Sequence, residues 1–315
     1  MKKKIIVIGL AMLLVCSLIL SGCSGKTTLK MATGGTTGTY YAFSGTVSQV
    51  LSSKINNLSF DVQSTGASKA NIYLVADKEA DIAIVQNDVM YYAHKGTDLF
   101  AGEAVTGFSA MAGCYSEVVQ IVSKSDISDI SQLKGKRVSV GDVGSGCEFN
   151  AHQIFEAYGM TIDDIEVHNL SFADSATALK DDKIDAFFCV AGAPTTAIVE
   201  LATSNDINIL EVDDEHVDVL VQKYPFYTKY AVPGNSYKGV SEDKQTVAVV
   251  ATYIVSDDLK EDLVYDMTKA LFENADEIAK AHPKGAELDA EYSVSGISIP
   301  IHPGALKYYK EIGVR

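Results

Sequence analysis

Apolar and polar stretches alternate along the chain in the rhythm of repeated βα units. Residues 30–33 read as a short strand that ends in the turn Gly34-Gly35-Thr36-Thr37-Gly38. Residues 40–55 then carry Val47, Val50 and Leu51 at helical spacing. A strand at 59–63, a Ser64-Thr65-Gly66 turn and a helix at 69–78 follow, and residues 81–86 form an apolar run of strand length ending in Asn87-Asp88. Strand, polar turn, helix and strand in this order imply a parallel sheet. The pattern then changes to one long extended segment, Phe108–Lys124, with Val118-Val119-Gln120-Ile121-Val122 within it. A second βα series starts at residues 136–140, turns at 141–146 and runs helically through Ala157. It continues with strands near 166–170 and 186–190, a helix at 195–203 and a strand at 207–211. Residues 246–255 are a second long β-branched stretch, and 260–281 have the period of a long amphipathic helix.

Two βα series joined by two long extended segments predict an α/β protein of two lobes with two crossover strands. The first lobe is expected to hold residues 28–113 and 248–315, and the second 114–247. The competing arrangement is one continuous doubly wound sheet. About 290 residues after removal of a leader is near the size at which a single core stops growing and a chain divides.

The leader itself is written in the first residues. Met1-Lys2-Lys3-Lys4 precedes an apolar run that ends at Leu20, the layout of a secretory signal at the long edge of the usual range. Leu20-Ser21-Gly22-Cys23 resembles a bacterial lipobox, which makes 1–22 a signal peptide, Cys23 the lipidated residue and 23–27 a tether. The other reading is a leader cleaved elsewhere with Cys23 incidental. Two or more acyl chains hold a protein stably at a bilayer, at roughly 0.8 kcal/mol per buried methylene. The expected location is therefore the outer face of the cell membrane, with the lipid on Cys23 as the membrane contact. Cleavage removes three lysines and takes the formal net charge from −15 to −18. An acidic chain of this kind excludes nucleic acid as a partner, whose phosphates need clustered Lys and Arg. Cys114, Cys147 and Cys189 remain after cleavage and lipidation, so at most one disulfide can form, and buried thiols are expected.

In open α/β sheets ligands bind outside the carboxyl ends of the strands, where turns feed helix N-termini. Gly34 to Tyr41 offers unshielded backbone N–H groups, the hydroxyls of Thr36 and Thr37, and the phenols of Tyr40 and Tyr41. Ser64-Thr65-Gly66 repeats the theme, and Gly144-Ser145-Gly146 repeats it in the second series. Two or three helix N-termini converging on one carboxylate hold it without a cation, each contributing about 0.3–1 kcal/mol when exposed and up to ~2 when partly buried. That matters because Arg137 and Arg315 are the only arginines. The first turn lacks the Lys-Ser or Lys-Thr of a phosphate loop and the full dinucleotide fingerprint, so no cofactor is expected. Cys147 and His152 are considered as a nucleophile pair and set aside, because positions five apart diverge on a helix. The scattered histidines show no metal-ligand spacing, so no metal is expected. Asp213-Asp214-Glu215 reads as a solvated acidic loop, and Tyr224, Phe226, Tyr227 and Tyr230 as an aromatic cluster that packs under a loop, lines the cleft or touches the permease.

Met31-Ala32-Thr33-Gly34-Gly35-Thr36-Thr37-Gly38-Thr39-Tyr40-Tyr41 resembles the opening of TAXI proteins, the solute receptors of TRAP (tripartite ATP-independent periplasmic) transporters. Ser64-Thr65-Gly66-Ala67-Ser68, the block from Ala80 to Val89, Gly144-Ser145-Gly146-Cys147-Glu148, the block from Asp185 to Pro194 and Ile299-Pro300-Ile301-His302-Pro303 resemble further segments of that family. Cys147 departs from it, since threonine is the more common residue there. The resemblance implies a type II periplasmic-binding-protein fold, no enzymatic activity, and delivery of a solute such as glutamate, glutamine or a 2-oxoacid to a TRAP-type permease. By position, Thr36, Thr37, Gly38 and Tyr41 would hold one carboxylate of a small anionic solute, with Gly35, Tyr40, Ser64, Thr65 and Gly66 beside them. Gly144, Ser145 and Gly146 would meet it from the second lobe, and Gln86, Asn87, Ala191 and Gly192 would line the rest. Two other functions remain open at this level: a ligand-sensing lipoprotein that signals to a membrane receptor, and an exported enzyme.

Overall fold

The computed structural model of the protein describes residues 26–315, so the leader and Cys23 lie outside the described residues. The first series runs β1 (Thr27–Ala32), α1 (Thr39–Lys54), β2 (Leu58–Gln63), α2 (Ser68–Ala76), β3 (Ile82–Gln86) and α3 (Asn87–Lys95). The long strand β4 (Phe108–Lys124) leads into the second series. That series comprises β5 (Arg137–Ser139), α4 (Gly146–Ala157), β6 (Glu166–His168), α5 (Phe172–Lys180), β7 (Ala186–Ala191), α6 (Thr196–Ser204), β8 (Ile207–Leu210), α7 (Asp214–Lys223) and β9 (Thr228–Val232). Strand β10 (Lys244–Ser256) returns to the first half, followed by α8 (Glu261–Glu273), α9 (Ala275–Ala281), α10 (Ala290–Ser295) and α11 (Pro303–Glu311).

The strands lie in the order β2-β1-β3-β10-β4-β7-β5-β6, with β9 also pairing β10 and β8 also pairing β4. Reading inward from either edge gives the same plan. Three parallel strands, β2-β1-β3 or β6-β5-β7, meet one long antiparallel strand, β10 or β4. The long strands pair with each other from Ala248↔Val118 to Ser256↔Phe108, with register shifts near Ala251/Thr252 and Tyr253/Ile254. Two lobes joined by two crossover strands are what the two extended stretches predicted.

The cores follow the same division. Two clusters take their β4 residues from Phe108–Tyr115 and their β10 residues from Ala251–Val255. The other two take theirs from Val118–Val122 and from Val247–Val249. Strand β3 is buried at every position, as a strand covered by helices on both faces must be. Between the two sets of cores stands Glu117, 3% exposed, on β4.

Three local expectations need correction. Residues 260–281 are two helices, not one: Asn274 adopts φ −117° and ψ 24°, and its amide caps the Ala270 carbonyl at 2.8 Å. Asp213-Asp214-Glu215 is a helix start, not a loop, because Asp213 Oδ1 accepts from the His216 N–H at 3.1 Å and the next two acids occupy the first turn of α7. A carboxylate there satisfies an otherwise unpaired N–H and meets the positive end of the helix. The strand near 166–170 ends at His168, which leaves Ser171 free to cap α5 through the Asp174 N–H at 3.2 Å.

Candidate functional site

At the carboxyl ends of β1, β3 and β7 a small cavity of about 40 Å³ lies between the lobes. From the first lobe come Gly34, Gly35, Gly38, Thr39 and Tyr40 of the β1–α1 turn, with Ala67 and Ser68 at the start of α2. Ser145, Gly146 and Cys147 at the start of α4 face them across the cleft, joined by Asp142, Phe172, Val190 and Ala191. Gln86 and Glu117 complete the lining from β3 and β4. The lobes touch directly beside it. Thr39 Oγ1 donates to the Gly192 carbonyl at 2.9 Å, and Gln86 Nε2 donates to Asn150 Oδ1 on α4 at 3.0 Å.

The residues singled out from sequence separate into three groups. Gly35, Gly38, Tyr40, Gln86, Ser145, Gly146 and Ala191 line the cavity. Thr36, Thr37, Ser64, Thr65 and Gly66 line a second, more open space of about 350 Å³ that shares Gly35 and Asp142 with the first. Of these, Thr65 also braces the fold: its hydroxyl bonds the Thr33 carbonyl at 2.9 Å and Asn71 Oδ1 at 2.6 Å. Tyr41, Asn87, Gly144 and Gly192 lie outside both linings. Tyr41 is half-buried on α1. Asn87 binds the framework, with Oδ1 accepting from Val250 N–H at 3.0 Å and Nδ2 donating to the Gly296 carbonyl at 3.3 Å. Gly144, at φ +74°, supplies the backbone turn before Ser145, and a Cβ at Gly192 would stand 2.8 Å from both Thr39 and Lys284.

Sequence reasoning missed the most polar part of the cavity. Glu117 is buried and accepts the Tyr40 hydroxyl on Oε2 at 2.6 Å. Burial pushes its carboxyl well above the usual range, against the lowering effect of Tyr40 and of the Gln86 amide. The signal was present, since Glu117 is the only acid in the apolar run Phe108–Lys124, and a buried acid in a cleft marks a site. Beneath it runs a buried network that bridges the lobes. Asn150 Nδ2 donates to Asp88 Oδ2 at 3.1 Å and to the Tyr227 hydroxyl at 2.8 Å, and that hydroxyl donates to Gln153 Oε1 at 2.6 Å. Burial raises Asp88 to about 6, while the Val89 N–H and Asn150 hold it down. Phe226 packs against Tyr91 and Tyr92 at ring separations of 5.1 and 5.7 Å, so part of the aromatic cluster closes over this network between the lobes.

Other candidates go elsewhere. Arg137 is held by Asp185 through Nε at 3.0 Å and a second guanidinium nitrogen at 2.7 Å, at the amino end of β5. Cys147 is buried, its thiol pushed far up by desolvation, while His152 is exposed, so the two form no nucleophile pair. Cys114, Cys147 and Cys189 are all free and buried. Among the described residues no cluster of His, Cys, Asp and Glu could hold a metal ion, and no helix is long and apolar enough to cross a membrane.

Residues 31–313 match the model of the NMT1-like family. Among solved structures the chain is similar to the alkanesulfonate-binding protein SsuA from Xanthomonas axonopodis pv. citri bound to MOPS, at 12% identity over 91% of this chain and 85% of that one, TM-score 0.50. It is also similar to the ligand-binding component of an ABC-type import system from Staphylococcus aureus with zinc bound, at 11% identity over 92% and 93%, TM-score 0.52. A third likeness is to the GluR0 ligand-binding core from Nostoc punctiforme in complex with L-glutamate, at 12% identity over 82% and 100%, TM-score 0.51. At these identities the likeness is one of fold, and the fold is that of two-lobed solute-binding proteins.

Proposed function

The chain belongs to the NMT1-like family, and from that premise we propose that it is an exported solute receptor. It captures a small carboxylate between lobes made of residues 28–113 with 248–315 and of residues 114–247, and passes it unchanged to a membrane permease. One observation carries this reading: a cavity walled by turns of both lobes, at the carboxyl ends of parallel strands, on a frame crossed by the long strands β4 and β10. Helix α1 begins at Gly38 without a side-chain cap, so its first N–H groups are available to an anion beside Gly34 and Gly35. Opening and closing about β4 and β10 would admit and trap the solute, the binding energy offsetting the cost of ordering the lobes. Lipid on Cys23 would keep the receptor at the outer face of the cell membrane.

The glycine and hydroxyl blocks that resemble TAXI proteins favour a TRAP-type permease, driven by an ion gradient. The Staphylococcus aureus likeness belongs to an ABC-type system, which makes an ATP-driven importer the second reading. Uptake by cells carrying this receptor decides between them. Collapse of the ion gradient with ATP maintained should stop TRAP-type uptake, whereas continued uptake would reject it. For the receptor itself, small-angle scattering with and without saturating solute should show contraction, and identical profiles would reject closure.

A further inference from the structure

We propose that Glu117 takes up a proton as the lobes close on the solute and presents it to a solute oxygen as a hydrogen-bond donor. Each carboxylate is then captured together with one proton from solvent, which returns to solvent when the lobes open. The proposal rests on the carboxylate-receptor reading above and gives that site a proton stoichiometry.

The starting point is a conflict of charge. Two residues of the cavity wall are acids, Glu117 and Asp142, and among the described residues no lysine or arginine lines the cavity. Glu117 is the deeper acid, 3% exposed, whereas Asp142 is half-buried. Two carboxylates in one dry site without a cation do not both stay ionised, and the proton settles on one of them. A solute carboxylate has the first N–H groups of α1 beside it, which no side chain caps. Glu117 has far less to hold a charge.

Its surroundings favour the neutral acid. Tyr40 on α1 donates to Oε2 at 2.6 Å. The Gln86 amide lies beside the carboxyl but already donates to Asn150 Oδ1 at 3.0 Å. The titratable groups facing Glu117 are Tyr40 on α1, Asp88 on α3, Tyr115 on β4, Cys147 on α4 and Cys189 on β7. None of them is a cation. The buried Lys284, which stands over the Tyr115 ring, is tied to Glu287 at 2.6 Å. A buried carboxylate without a charged partner neutralises rather than bear the cost of desolvation, and burial raises Glu117 well above its ordinary 4.5. With Oε2 taken by Tyr40, the acid proton sits on Oε1 and is free to be donated. The groups that enclose Glu117 come from both lobes, Tyr40 and Asp88 from the first and Cys147 and Cys189 from the second. Opening therefore hydrates the carboxyl and releases the proton.

The test is calorimetric titration of the purified full chain, stripped of bound solute, at about pH 7.5 in buffers of different ionisation enthalpy. The probes are glutamate, 2-oxoglutarate and any carboxylate released from the denatured protein. Asp88 is raised only to about 6 and adds no proton at this pH. The closed form binds the proton more tightly than the open form, so affinity is highest at low pH and falls as pH rises. The heats should show an uptake of about 0.5–1 proton per solute, and affinity should fall about three- to tenfold from pH 7 to 8. Glu117→Gln, neutral at every pH, should bind the same probe at least ~10-fold more tightly than the native chain at pH 8, with no proton uptake. The native chain alone decides the matter if this variant does not fold. Binding with buffer-independent heats overturns the proposal and leaves the receptor standing. So does a folded Gln variant that binds no more tightly at pH 8, the mark of an ionised Glu117 that pairs with a cationic group of the solute. No binding by any probe, with no small carboxylate released from denatured protein, overturns both.

Discussion

The two helix starts that face each other across the cavity are finished differently. On α4, Ser145 accepts from the Glu148 N–H at 3.1 Å, and the Glu148 carboxylate reaches back to the Gly144 N–H at 2.6 Å. This end is satisfied by its own residues. On α1 the cap is Gly38, which has no side chain to offer, and the first turn contains no acid. The glycines and hydroxyls that look alike in sequence therefore do different work. The α4 end is a preformed wall, and the α1 end has no side-chain cap on its first N–H groups.

The largest effect should come from closing the space that the preformed wall leaves for Gln86. A Cβ at Gly146 would overlap Gln86 Oε1 and displace the amide from Asn150. Gly146→Ala should weaken solute binding about 5- to 150-fold, the equivalent of the 1–3 kcal/mol typical of overpacking. Gly45→Ala on the outer side of α1, where nothing lies within 4 Å of the added carbon, should leave affinity unchanged. Equal titration curves for Gly146→Ala and the parent protein would show that the two lobes do not meet there in solution.

A comparable effect on stability should appear at Asp88. Its carboxyl is raised to about 6 in the folded protein from an ordinary 3.8, chiefly by burial. The folded state therefore holds the proton more tightly than the unfolded state. The contribution is fully present below about pH 4 and is lost as pH rises through about 6, by on the order of 3 kcal/mol. Asp88→Asn should flatten that part of the stability profile, read as melting temperature against pH. A parallel slope in both proteins between pH 4 and 6 would remove Asp88 from the account.

Two smaller changes sharpen the contrast between the helix ends. Ser145→Ala removes the α4 cap and should cost about 1 kcal/mol of stability, read as a lower melting temperature. Gly38→Ser gives α1 a cap of its own, worth only a few tenths of a kcal/mol over glycine. It should raise stability slightly while weakening solute binding several-fold, because the new hydroxyl competes for the same N–H groups. If Gly38→Ser left affinity unchanged, the α1 donors would not be in use.

Periodicity exposed the βα series and both crossover strands, since strand runs such as Ile82–Gln86 and Phe108–Lys124 are long, apolar and bounded by turns. What it could not show was how chain ends of different elements meet. Gln86, Ser145 and Ala191 are legible as strand-end or turn residues, but Asn87 beside Gln86 turns away into the frame. Phe172 lines the cavity from the first residue of α5, a short helix of nine residues between two strands. Glu117 was hidden by the strength of the strand around it, and its partner Tyr40 lies 77 positions away. The break at Asn274 escaped notice because the apolar period continues through it.

The central claim is capture without transformation, and it is tested most directly by mass spectrometry of protein purified from the cells that make it and then denatured. The account predicts one small carboxylate, close to one per chain and chemically intact, that rebinds to the refolded protein and raises its melting temperature. A chain that releases no such solute, or that returns an added candidate chemically altered, would contradict it.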